Sequence, residues 1–198
     1  MFYFVRNTMV FQKYPIKKQI LLAFIFALLN FFMAALFNEI LHLPLFMDMI
    51  FIYAASFFGI PCGLITGALH SVLYCVVFNK GIFQLLYIIC CITGTVFTWL
   101  IVTHHEEFSW SRSLILVFLS TIVISLEGSL IYYFFFSEAQ TNSENYTVLF
   151  LTYNLVMQDF GVQISAFLAR LPVNLIDKAI AVFGGLGISA LVKKIVEV

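Results

Sequence analysis

From Gln19 onward the chain is a succession of long apolar runs broken by very short polar stretches. A helix that crosses a bilayer needs about 20 mostly apolar residues, and fewer when polar anchors flank it. On that measure the runs divide into six predicted spans, at about 19–41, 45–60, 62–78, 82–102, 114–136 and 172–192. Only a Gly-x-Pro-x-Gly turn (Gly59, Pro61, Gly63) separates the second from the third. Ser137 to Tyr146 is the one water-loving connection of any length. The segment 147–171 is apolar enough to suggest a further span. It is interrupted, however, by Asn154, Gln158, Asp159, Gln163 and Arg170, which predicts an amphipathic or re-entrant helix lying outside.

Charge placement gives these spans a direction, because cytoplasmic loops collect lysine and arginine. Six crossings put Arg6, Lys13, Lys17, Lys18, Arg112, Lys193 and Lys194 on the cytoplasmic side, leaving Lys80, Arg170 and Lys178 opposite. A seventh crossing would move Lys193 and Lys194 outside. The expectation is therefore an all-α, polytopic membrane protein, a single domain over 1–198, with six transmembrane helices and both termini cytoplasmic. The first run is too long for a signal-peptide core and reads as a retained span. Composition agrees with a chain whose main partner is the lipid bilayer. It is 63% hydrophobic and 10% charged, far from the roughly 25% charge of soluble domains. With zero net charge and no basic patch, nucleic acid is not an expected partner.

Candidate chemistry is sparse. Cys62, Cys75, Cys90 and Cys91 lie inside apolar runs without the C-x-x-C spacing of a metal or redox site, so neither a disulfide nor a metal is expected. His70, mid-span, reads as a histidine bonded to a neighbouring helix. His104-His105-Glu106-Glu107 reads as a solvated loop, because adjacent residues point to different sides of an element. H-E-x-x-H, G-x-S-x-G and P-loop motifs are all missing, so the chain is not expected to be an enzyme or to use a cofactor, and transport work would need a gradient or a separate ATPase.

The polar residues that remain collect in the outer half. Glu127 lies about 22 Å up the fifth span from its cytoplasmic end, at 1.5 Å per residue. Asn174, Asp177 and Lys178 are spaced i, i+3 and i+4, so they share one face where the last run opens. Pro172 suits the first turn of that helix. Glu39, Asn38, His42, Asp48 and Gln84 fall on the same outer side. A lone charge at such depth is costly, so Glu127 and Lys178 are expected to pair, either as a link between helices or as a pair open to a ligand of both charge types. Small residues form stripes at Ala23, Ala27, Asn30 and Ala34, at Gly59, Gly63 and Gly67, and at Ala181, Gly185 and Ser189. Such stripes let helices approach closely, within a protein or between proteins.

Taken together, Pro44-Leu45-Phe46-Met47-Asp48, Phe58-Gly59-Ile60-Pro61-Cys62-Gly63 with Gly67, and Leu171-Pro172-Val173-Asn174 with Asp177-Lys178 resemble the substrate-binding S components of energy-coupling factor transporters. The resemblance covers roughly residues 19 to 194. It implies capture of a vitamin-like micronutrient from outside by a six-helix protein of a bacterial or archaeal cell membrane, working with a T subunit and two ATPase subunits. It also implies that the A-x-x-x-A stripe of Ala23 and Ala27, continued by Ala34, packs on the T subunit. Glu127, Asn174, Asp177 and Lys178 are then expected to contact the ligand, with Glu39, His42 and Gln84 nearby. None of the family's substrate-specific signatures is present, and 137–171 is longer than a typical external loop. The competing reading is a sensor input domain, or a scaffold subunit resembling the rod-shape membrane protein D.

Overall fold

The computed structural model describes residues 14–43, 45–80, 82–103, 109–139 and 146–196, so His104, His105, Glu106 and Glu107 lie outside it. Every regular element among the described residues is helical. Helix α1 (Ile16–Ala34) continues through wider turns over Ala35–Ile40. Then follow α2 (Ile50–Ser56), α3 (Ile60–Val77) and a 3-10 segment, Ile82–Tyr87, that leads into α4 (Ile88–Thr98). Helix α5 covers Trp110–Ala139, α6 Tyr146–Val156 and α7 Val162–Val196. Five stretches are long and apolar enough to cross a membrane: Ile16–Ile40, Ile60–Val77, Gln84–Val102, Trp110–Phe134 and Val162–Ile195. The chain thus has the character of a multi-pass membrane protein.

The predicted span at 45–60 is where structure and expectation part. It holds only the seven residues of α2, about 10 Å of helix against a hydrocarbon core of about 30 Å. The rest of the distance is covered without helix. Phe46 lies at the level of Asn38, Asp48 at Asn30, Phe51 against Phe26, and Phe58 against Tyr14. Residues 46–58 therefore run back along α1 in the opposite direction. Apolarity alone suggested a helix there, but high apolar content permits any segment whose backbone is satisfied by other means.

Gly59 then reverses the chain. Its φ of +144° is a conformation that residues with a Cβ rarely adopt, and Pro61 sits in the first turn of α3. Helix α3 rises parallel to α1, with Thr66 bonded to the Ala23 carbonyl and Tyr74 and Phe78 against Phe31. Helix α4 descends beside it, bringing Cys91 to Gly67 and Thr95 to Gly63.

The last element also differs from its predicted bounds. Helix α7 begins at Val162, ten residues before Pro172, so the proline lies inside the helix and not in its first turn. Without an N–H, Pro172 leaves the Leu168 carbonyl without its helical partner. At 35 residues α7 is about 52 Å long, well beyond the hydrocarbon thickness. The segment 147–171 supplies α6, a turn at 157–160, and the outermost turns of α7. Val148 on α6 packs with Ala169 and Val173 on α7 and with Leu45 and Phe46, capping that end of the molecule.

The small-residue stripes are used inside the protein. Ala23, Ala27 and Ala34 are buried, facing α2 and α3, so they are not exposed to a partner; their size lets α3 approach α1. The outward face of α1 carries Leu21, Phe24, Leu28 and Phe32, and that of α5 carries Ile115, Phe118 and Ile122, as expected of surfaces against lipid acyl chains. On α7, Ala181 and Ser189 are buried, and a Cβ added at Gly185 would stand 2.9 Å from the Ala54 nitrogen and 3.0 Å from the Ile50 carbonyl oxygen.

That contact is between backbones and cannot be relieved by a rotamer change. Gly185→Leu should therefore cost about 1–3 kcal/mol or more by overpacking. A Cβ at Gly187 meets nothing within 4 Å, and Gly187→Leu should stay within about 0.5 kcal/mol of the parent. Thermal unfolding of both variants in detergent checks this, and equal losses would contradict the packing.

Candidate functional site

A non-helical segment inside an apolar bundle must have its backbone groups met by side chains. Four such bonds hold residues 46–51. Asn38 donates to the Phe46 carbonyl, and Asn30 donates to the Asp48 carbonyl. The Phe51 N–H donates to Asn30 Oδ1 at 3.1 Å, and the Met47 N–H donates to Asp177 Oδ1 at 2.7 Å. Met47 has a φ of 50°, strained for a side chain of its size, and the bond from its N–H to Asp177 helps to hold it there.

These bonds set the charges around them. Asp177 is fully buried, and its second oxygen accepts from Lys178 Nζ at 2.7 Å. Lys178, 2% exposed, also lies 3.9 Å from Asp48 Oδ1. Adjacent helical positions usually diverge, but the lysine stem is long enough to fold back onto its neighbour. Two carboxylates thus share one ammonium.

The expected pairing of Glu127 with Lys178 is not formed. Glu127 Oε1 instead accepts from Thr93 Oγ1 on α4 at 2.5 Å, while Lys178 is held by Asp177, a nearer carboxylate that sequence separation placed beside it. Thr93 is followed by Gly94, against which Met49 and Tyr53 pack. Asn174 donates to Ser125 Oγ at 2.8 Å and so ties α7 to α5.

The outlying candidates divide differently. Glu39 accepts from Tyr74 Oη at 2.5 Å and pairs with Lys80 at 3.0 Å, forming a link between the ends of α1 and α3. His42 is exposed and bonds the Asn38 carbonyl, so it stands outside the buried set. Gln84 lies in the 3-10 segment that packs on α5, with Oε1 buried and no protein partner. His70 Nδ1 is likewise buried without one, contrary to the expected bond to a neighbouring helix; its ring tilts against Tyr74. All four cysteines are free thiols.

Sequence reasoning missed Tyr53, Thr93 and Ser120. Tyr53 on α2 and Ser120 on α5 are fully buried, and their hydroxyls interact. The candidate residues are thus Asp48, Tyr53, Ser120, Glu127 and Lys178, from α2 and its leading segment, α5 and α7. No signal in the apolar run around Tyr53 could have marked it, since its partners lie far along the chain.

Asn30→Leu should leave the Asp48 carbonyl and the Phe51 N–H unmet, costing about 2–5 kcal/mol for the two groups, read as a lowered unfolding midpoint. No protein-family model, curated protein or solved structure matches this chain, so the functional reading stands on the chemistry of this site.

Proposed function

We propose that the chain is the substrate-capturing S component of an energy-coupling factor importer, binding a vitamin-like micronutrient from outside. A separate T subunit and two ATPase subunits would drive its release inward across a bacterial or archaeal cell membrane. In this reading the descending segment 45–58 counts as a crossing, giving six in all and both termini in the cytoplasm. The supporting observation is the polar set between α2, α4, α5 and α7, in which Glu127 Oε2 has no hydrogen-bond partner and Asp48 Oδ1 meets only Lys178, at 3.9 Å. Unsatisfied polar atoms at such depth are costly, and a ligand that completes them accounts for their retention. Docking of the T subunit would not use Ala23, Ala27 or Ala34, which are already covered.

One observation favours the second reading, a scaffold or sensor subunit without transport. Asn30, Asn38, Asn174 and Asp177 all spend their hydrogen bonds on other parts of the protein. Native mass spectrometry of the full chain, extracted mildly from its own membranes, separates the two. The importer reading expects a retained small molecule, lost or much reduced in Glu127→Gln, together with an ATPase-containing assembly. A chain that carries no small molecule and co-purifies with cell-wall or signalling proteins would overturn it.

A further inference from the structure

Helix α6 carries no charge along its 11 residues and shows apolar side chains on both faces. Val148, Leu151 and Leu155 pack on α7. The opposite face presents Phe150, Tyr153 and Met157, spaced i, i+3 and i+7, which are 69%, 65% and 67% exposed. Two of its polar side chains turn their donors back on the helix itself: Thr152 donates to the Val148 carbonyl and Asn154 to the Phe150 carbonyl, each at 2.7 Å. A helix at a water surface turns a polar face outward, whereas one that is apolar all round belongs in protein or in lipid. At about 16 Å, α6 is half the hydrocarbon thickness of about 30 Å, so it cannot cross a bilayer.

Its neighbours fix its level. Val148 packs with Val173, Leu45 and Phe46, and the Phe46 carbonyl accepts from Asn38, close to the end of the apolar stretch Ile16–Ile40. The first turn of α6 therefore stands where α1 leaves the hydrocarbon. From there α6 runs antiparallel to the first turns of α7 and rises about 12 Å between Val148 and Val156. The headgroup layer adds about 5–7 Å on each side of the hydrocarbon. Phe150 is lowest, Tyr153 is nearly a turn higher, and Met157 adjoins the exposed polar residues Gln158 and Asp159. Exposed apolar side chains continue down α7 through Ile164, Leu168 and Ile176, so the stripe is continuous with a surface suited to acyl chains.

We propose that α6 is a lipid anchor, standing in the leaflet at the end of the molecule opposite Lys193 and Lys194. Phe150 lies against the acyl chains, Tyr153 lies at the headgroups, and residues 157–160 reach the water boundary. Tyrosine suits that layer, its ring apolar and its hydroxyl free to meet the polar headgroups. The inner face of the same helix covers Leu45 and Phe46, so lipid on one side of α6 backs the start of the descending segment on the other. The segment is then neither a further crossing nor a loop in water, and this holds whether or not the chain captures a substrate.

Fluorescence quenching tests the placement. The two natural tryptophans, Trp99 and Trp110, lie at the far end, where α4 finishes and α5 begins. The full chain carrying Trp99→Phe and Trp110→Phe is reconstituted in dioleoylphosphatidylcholine vesicles, with Phe150→Trp, Tyr153→Trp or Met157→Trp added singly. Lipid brominated on its acyl chains should quench position 150 most, 153 less and 157 least, and aqueous acrylamide should give the reverse order. Acrylamide quenching at all three positions with no effect of brominated lipid would put the stripe in water and overturn the proposal. Equal quenching by brominated lipid at all three would lay the helix flat and overturn its rising position. Protection from both quenchers would mean that protein covers the stripe, a second copy where dilution in lipid relieves it, and would overturn the anchor as well.

A second comparison keeps both tryptophans. Phe150→Asp and Phe150→Asn differ by one charge on side chains too short to reach far. In these vesicles the aspartate variant should unfold about 2–4 °C below the asparagine variant, because its charge meets lipid. Equal midpoints would overturn the contact with acyl chains.

Discussion

The hydrogen bond from the Met47 N–H to Asp177 is the constraint on which the rest of the structure depends. The segment it holds descends through the apolar interior without a helical ladder, and each of its peptide groups needs a partner from elsewhere. Asn30, Asn38 and Asp177 supply four of them. Once Asp177 has been placed for that purpose, its negative charge must be answered within the bundle, and Lys178 answers it. The ammonium then draws in Asp48, and α2 follows in register along α7, where Gly185 has the room to receive it. A polar cluster that looks functional from its charges is thus partly the consequence of one broken helix.

This dependence also explains why the site has two characters. Asp177 and Asn30 have both polar ends of their side chains taken by the fold. Asp48 and Glu127 each keep one oxygen that the fold leaves without a hydrogen bond. The division falls between residues that share a helix face in sequence and residues that meet only in space. Glu127 and Thr93 come from different helices, as do Tyr53 and Ser120, and these contacts create the unfilled acceptors.

Membrane character and four of the long helices were legible from the apolar runs, because a bilayer imposes length and hydropathy on any helix that crosses it. The 45–60 run was not, since hydropathy reports that a segment is buried and is silent on how its peptide groups are bonded. Pro172 suggested a helix start by its usual preference, but neighbouring elements in a bundle tolerate an interior proline, and α7 runs through it. Of the polar residues expected to gather, Asp177 and Lys178 meet Asp48, whereas Glu39 pairs with Lys80 and His42 stands apart. The Glu127–Lys178 pair was not legible as absent, because it was argued from depth alone, and Asp177 lies one residue from the lysine. Alanine spacing marked Ala23, Ala27 and Ala34 as a contact stripe; only the structure tells that α2 and α3 fill it.

The descending segment has a consequence for how the protein is made. The seven residues of α2 are too few to enter a bilayer as an independent helix, and the peptide groups before it are unmet without help. One of the groups that meets them, Asp177, lies 130 residues further along the chain. The segment therefore cannot reach its final place as it leaves the ribosome. It must wait at the membrane surface, or in a provisional arrangement, until α7 has been synthesised and has entered. A helix made 130 residues later thus completes the fold of this interior segment, and a protein truncated before residue 177 loses the segment's anchor as well.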